Sequence, residues 1–247
     1  MNGWTIEELM ACVIARAIRD GETVSVGTLS PVPATGAYLA QALHAPRARL
    51  LVHGARDYPF RNGTKEFFDF AQRGRIDCFF LSGAQIDVHG NINLHVIGPY
   101  ERPAVRLPGG AGSGMLYFMA KRVILFKMEH DPRGLVERVD FVTSAAESPQ
   151  GVLRRGGPAL LVTPLCVFRF HADAGRFSLA TVHPGVSREE IQARTGWPIA
   201  PEELTDAEVT PPPSEDELAA LRGPVRQRVA AIYPEFAARI WGGEVAR

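Results

Sequence analysis

The opening of the chain limits its fold more than any other stretch. Ile6, Leu9, Met10, Val13, Ile14, Ala17 and Ile18 recur in alternating steps of three and one. That is the stripe of a helix with one face against a core. Thr5 and Glu8 form a T-x-x-E capping box before it, and Asp20-Gly21 stops it. Thr23–Val26 then reads as a short strand. A second helix is expected from about Ala34, after Pro33, to His44. Arg49–His53 reads as a strand, Thr64–Arg73 as a helix stopped by Gly74, and Ile76–Ser82 as a buried strand. Short apolar strands alternating with helices build a parallel sheet covered by those helices. The fold class expected is α/β, an open, mainly parallel sheet with helices on both faces.

Beyond residue 82 the pattern changes. Asp87–Asn91 reads as a turn and Asn91–Val96 as a strand. Leu107–Gly114 is a glycine-rich loop, and Arg122–Met128 a buried strand. Ala159–Thr163, Cys166–Phe170 and Phe177–Val182 are strands, with a hairpin turn at Asp173-Ala174-Gly175. Ser187 and Glu190 cap a short helix that ends at Thr195-Gly196. Pro211-Pro212-Pro213 is a stiff linker, and Ser214 and Glu217 cap a last helical segment broken by Pro224 and Pro234. The expected division is a main domain over residues 1–203 and a Pro-rich linker with a helical arm over 204–247.

Composition excludes several functions. Lys plus Arg and Asp plus Glu are both 27, so the net charge is zero and no overall field favours nucleic acid. No apolar run approaches the roughly 20 residues that span a bilayer. Glu7, Glu8 and Arg16 interrupt any secretory leader at the start. Cys12, Cys78 and Cys166 have neither disulfide nor metal spacing and read as buried thiols in a reducing cytoplasm. His89 and His95, six apart, have no metal-ligand logic on one helix or strand, so no metal is expected.

No serine-hydrolase elbow, Walker A loop or H-E-x-x-H motif is present. Gly109, Gly110, Gly112 and Gly114 crowd four glycines into six residues. Such a loop is either a tight connection, or a place where backbone approaches a ligand and its N–H groups converge on an anion. Gly83–Asn93 is dense in small and amide residues directly after a buried strand, where α/β sheets bind ligands. Gln85 and Asn93 either bind a ligand or stabilise the turn.

G-A-Q-I-D-V-H-G-N-I-N at 83–93 closely resembles the G-A-x-Q-x-D-x-x-G-N-x-N signature of family I CoA-transferase β subunits, the glutaconate type above all. The resemblance continues in order through I-G-P-Y at 97–100, R-L-P-G-G-A-G-S-G at 106–114 and V-E-R-V-D-F-V-T-S at 136–144, which is similar to a K-I-D-Y-V-T-S strand. It ends with L-A-T-V-H-P-G-V-S at 179–187 and T-G at 195–196. The resemblance implies the CoA-transferase superfamily fold, a cytoplasmic heteromer with an α subunit, and acyl-CoA substrates. Coenzyme A enters as part of the substrate, with no tightly bound cofactor.

One departure bears on mechanism. The family's nucleophilic glutamate follows a hydrophobic strand in the β half. Here the matching strand is Arg49–Val52 and the next residue is His53, with no Glu between Glu22 and Glu66. An imidazole cannot form the acyl anhydride or carry CoA as a thioester, but it can act on water as a base or donate a hydrogen bond. Three readings follow: an acyl-CoA hydrolase similar to the ring-cleaving β subunits of steroid catabolism, whose catalytic glutamate lies on the α subunit; a transferase with its carboxylate elsewhere; or a non-catalytic partner. The expected site gathers His53, Gln85, Asn93 and the loop Gly109, Gly110, Ala111, Gly112 and Ser113.

Overall fold

A computed structural model describes residues 3–242. Along the chain these form α1 (Ile6–Ala17), β1 (Thr23–Val26), α2 (Pro31–Leu43), β2 (Arg49–Val52), α3 (Thr64–Gln72), β3 (Cys78–Leu81) and β4 (Gln85–Asp87). Next come β5 (Ile92–Asn93), β6 (Val96–Ile97), β7 (Val105–Arg106), α4 (Ser113–Met119), β8 (Arg122–Phe126) and β9 (Leu135–Val136). Then follow β10 (Gly157–Val162), β11 (Cys166–His171), β12 (Arg176–Val182), α5 (Arg188–Arg194), α6 (Pro201–Asp206) and β13 (Glu208–Val209). Last are α7 (Glu215–Ala220), α8 (Arg226–Ala230) and α9 (Pro234–Trp241). The chain divides into two compact units. One holds residues to Phe67, Ile76–Phe80 and those from Pro212 on; the other holds Phe68–Arg75 and Leu81–Pro211.

In the first unit β1 pairs in parallel with β2 and with β3, as the alternating pattern requires. The capping box at α1 is complete: Glu8 N–H donates to Thr5 Oγ1 at 3.2 Å, and Thr5 N–H donates to Glu8 Oε2 at 2.9 Å. α2 starts at Pro31, three residues earlier than expected. Prolines at 31 and 33 fall in the first turn, where the missing N–H groups have no helical acceptor anyway. A Cβ on Gly36 would stand 2.5 Å from Ile14 Cγ2, so this glycine lets α1 and α2 pack closely. Arginines tie the C-terminal helices to α1 and α2. Arg16 grips Glu217 through two bonds of 2.8 and 2.6 Å, Arg222 holds the buried Glu8, and Arg228 lies 3.8 Å above the Tyr38 ring. Burial alone would raise the Glu8 pKa, but bonds from Arg222, Thr5 N–H and Trp241 outweigh it and keep the carboxyl below its usual range.

In the second unit β8 and β10 are parallel, β10–β11–β12 are antiparallel, and β13 is parallel to β12. β4 lies between β5 and β9 in a small separate sheet. The expected strand Asn91–Val96 is two pieces, β5 and β6, because Asn93 turns the chain between them. The expected strand at 136–144 pairs as strand only at β9 and in one bridge at Ser144, and the chain between bends. Ser113 and Gly114, expected in the loop, begin α4. Weak helix formers obscure that helix in the sequence, while burial of Leu116, Tyr117 and Met119 holds it.

The core of this unit contains two buried imidazoles. His130 pairs with Thr163 and Thr195 hydroxyls at 2.9 Å each; His183 pairs with the Thr210 hydroxyl and Thr163 carbonyl, also at 2.9 Å. Burial pulls both pKa values down to about 4, helped at His130 by the Arg194 charge. The folded state therefore keeps them neutral where the unfolded chain, titrating near 6.5, takes up protons. Their stabilising share is complete above pH ~6.5 and is lost as pH falls toward about 4. Thermal denaturation is expected to show a steep fall in Tm between these values. That fall should shrink in a His130→Gln, His183→Gln double variant.

Candidate functional site

Gln85 and Asn93 face each other across β4 and β5, and both are buried. Asn93 Nδ2 donates to Gln85 Oε1 at 2.7 Å and to the Val96 carbonyl at 2.6 Å. Asn93 Oδ1 accepts the N–H groups of His95 and Val96 at 3.0 and 3.3 Å. Gln85 Oε1 also accepts the Asp140 N–H at 3.0 Å, and Gln85 Nε2 donates to Asp140 Oδ2 at 3.2 Å. Asp140 in turn accepts the Gly98 N–H at 2.8 Å. Every polar atom of the two amides is engaged within the protein. They brace the chain around His95. The turn before them is built by Asp87, whose carboxylate accepts from Asn91 N–H at 2.8 Å and Asn91 Nδ2 at 3.1 Å.

The glycine-rich loop lies beside this brace. Leu107 N–H donates to the His95 carbonyl and Gly109 N–H to the Leu94 carbonyl, at 2.8 and 2.9 Å. Gly109 has φ +99° and Ala111 φ +45°, so the loop turns through the left-handed region twice. Ser113 N–H closes back on the Gly110 carbonyl at 2.8 Å. Among the described residues, the N–H groups of Gly110, Ala111 and Gly112 donate to no protein acceptor. A Cβ on Gly110 would meet Thr143 Cγ2 at 2.4 Å and Ser113 Oγ at 2.8 Å, so backbone and side chains touch there. Thr143 Oγ1 accepts the Leu94 N–H at 2.8 Å and lies 2.7 Å from His95 Nδ1; Ser144 Oγ donates to Ser113 Oγ at 2.9 Å.

The sequence pointed to Gln85, Asn93 and the loop, but not to Asp140, Thr143, Ser144 or His95, which join them. The V-D-F-V-T-S motif held that signal, since it contributes three of those four residues.

His53 belongs to the first unit. It follows β2, its N–H donates to the Val26 carbonyl at 3.0 Å, and Gly54 at φ +94° turns the chain away. Its exposed ring packs on Tyr58, with centroids 5.1 Å apart, and makes no hydrogen bond to Asp57 among the described residues. Also among the described residues, no group of three or more His, Cys, Asp or Glu is placed to hold a metal ion, and no helix is long and apolar enough to cross a membrane. All three cysteines are buried, and none forms a disulfide.

Comparison with known proteins bears directly on this arrangement. Residues 55–194 match the family described as Coenzyme A transferase. The β subunit of 3-oxoadipate CoA-transferase from Pseudomonas knackmussii is 34% identical over 260 residues, covering 94% of this chain and 97% of that one. The cholesterol ring-cleaving hydrolase IpdB subunit of Rhodococcus jostii is 29% identical over 177 residues, 66% of this chain and 63% of that one. The crystal structure of the decarboxylase AibA/AibB superposes with a TM-score of 0.76 at 26% identity, covering 97% of this chain and 99% of that one. With its α/β fold and its full-length similarity to a transferase subunit, the chain is a member of the coenzyme A transferase family.

Proposed function

We propose that the chain is the β subunit of a cytoplasmic heteromer that processes an acyl-CoA together with an α subunit. The observation that supports this most is the similarity to a CoA-transferase β subunit along nearly the whole chain. The glycine-rich loop fits the same reading. Its three unpartnered N–H groups suit the oxyanion that forms when a thioester carbonyl is attacked, and its missing side chains leave room for the acyl-CoA. Gln85 and Asn93 act as positioning residues for this loop. Coenzyme A belongs to the substrate. Three buried cysteines, none in a disulfide, fit a reducing compartment.

The chemistry we infer is hydrolytic. The position of the family's nucleophile holds His53, so the anhydride and enzyme-CoA thioester of double displacement have no carboxylate at that position to form on. Water then takes the acceptor's place. The similarity to a ring-cleaving hydrolase subunit favours this, and the acyl-CoA is then cleaved hydrolytically, at the thioester or within a ring. The similarity to a 3-oxoadipate CoA-transferase favours transfer instead.

The two separate cleanly in the complex isolated through a tag on this chain. With acetyl-CoA or 3-oxoadipyl-CoA in H₂¹⁸O, hydrolysis releases CoA without an acceptor acid and puts ¹⁸O into the product carboxylate. Borohydride added during turnover should leave every Glu of this chain unlabelled by mass spectrometry. A CoA adduct on any of them returns the protein to double displacement. His53→Glu is expected to restore at most weak transfer, because a nucleophile also needs its acceptor within attack distance.

The loop gives a second test. Gly110→Ala must displace Thr143 and Ser113, and overpacking of this kind costs about 1–3 kcal/mol. Turnover should fall with the lowered Tm. Ala111→Gly removes a left-handed Cβ next door and should leave Tm level or slightly higher.

A further inference from the structure

We propose that His95 is the general base of this site, taking the proton from the water that attacks the carbonyl held on the glycine-rich loop. The inference rests on the hydrolytic reading above and adds the group that activates the water.

The ring stands against the loop at its two narrowest residues. His95 Nε2 lies 3.8 Å from where a Cβ on Gly109 would be, and Cε1 lies 3.7 Å from where one on Gly110 would be. A Cβ at either position would stand in van der Waals contact with the imidazole. The other ring nitrogen is engaged: Nδ1 is 2.7 Å from Thr143 Oγ1, which also accepts the Leu94 N–H at 2.8 Å. The proposed role takes the tautomer in which Nδ1–H donates to that hydroxyl, which leaves the ring's lone pair on Nε2. Among the described residues Nε2 has no hydrogen-bond partner. Phe141 packs on the ring with centroids 4.9 Å apart and limits its rotation. The backbone of His95 is held on both sides, by Asn93 Oδ1 on its N–H and Leu107 N–H on its carbonyl. This gives the brace of buried Gln85 and Asn93, with exposed Asp140 at its edge, a purpose: it holds one half-buried imidazole beside the loop.

For thioester hydrolysis the step balances as follows. Nε2 takes a proton from water as the water oxygen bonds to the acyl carbon. The carbonyl electron pair moves onto oxygen, where the N–H groups of Gly110, Ala111 and Gly112 receive it. The pair then reforms the carbonyl, the C–S bond breaks, and the thiolate leaves with the proton from the imidazolium. The products are the free acid and CoA thiol.

The test uses the tagged complex with wild-type, His95→Gln and His95→Phe chains. Glutamine keeps a hydrogen-bond donor but cannot accept the proton; phenylalanine keeps only the plane. Both are expected to lose 10²–10⁴-fold in kcat for CoA release from acetyl-CoA or 3-oxoadipyl-CoA, with KM nearly unchanged. Tm should stay level in His95→Gln. Diethyl pyrocarbonate should modify His95 in the wild-type complex, as read by peptide mass spectrometry, and free CoA should protect it. Full or near-full activity in His95→Gln overturns the base role, leaving the hydrolytic reading standing. A wild-type complex that releases CoA only when an acceptor acid is present overturns the hydrolytic reading, and the base role with it. Modification of His95 that CoA does not slow removes the residue from the site.

Discussion

A primary amide buried with no exposure has to find its hydrogen bonds inside the protein, and Asn93 is such a group. Leaving one of its bonds unmade costs about 1–3 kcal/mol. The second unit is arranged so that none is. Gln85 takes one amide proton and the Val96 carbonyl the other, while two consecutive backbone N–H groups fill the carbonyl oxygen. Meeting these demands turns the chain sharply after β5, so Leu94 and His95 leave the small sheet and run beside Leu107–Gly109. The glycine-rich loop takes its place from that pairing. A polar constraint in the interior thus sets the geometry of backbone at the surface.

The regular parts of this architecture are legible in the sequence because periodicity reports burial. α1, β1, β2 and β3 each carry an apolar pattern that only one element type satisfies, and their expected boundaries fall within a few residues of those observed. The start of α2 is harder to read, because proline is a breaker in general and a good first-turn residue in particular. α4 is illegible for a related reason. Ser113–Met119 begins with Ser-Gly and carries Tyr117 and Phe118 near its end, and its helical state comes from tertiary burial. The site is legible only in part. Glycine clustering marks the loop and amide density marks Gln85 and Asn93, but hydrogen bonds from Asp140, Thr143 and Ser144 across about 30 to 55 residues leave no local pattern.

His53 and His95 illustrate two different kinds of sequence signal. His53 stands out by substitution: a residue unable to form an anhydride occupies the strand end where the resembling family has its glutamate. Its surroundings in the structure are plain, an exposed ring on Tyr58. His95 has no such sequence mark, and its spacing from His89 means nothing for metal binding. Its surroundings are specific, with one ring nitrogen bonded, the other open, and two residues without side chains opposite. One position is marked by contrast with a family, the other by its surroundings in the fold.

That separation matters for a fold carrying several chemistries. Three similar proteins are named a transferase subunit, a ring-cleaving hydrolase subunit and a decarboxylase, so the shared backbone does not choose the reaction. In this chain the brace and the loop are built from amides and glycines, residues with no titratable side chain. A scaffold set by such residues leaves titratable positions, the strand-end His53 and the His95 ring among them, free to vary at little cost to the fold.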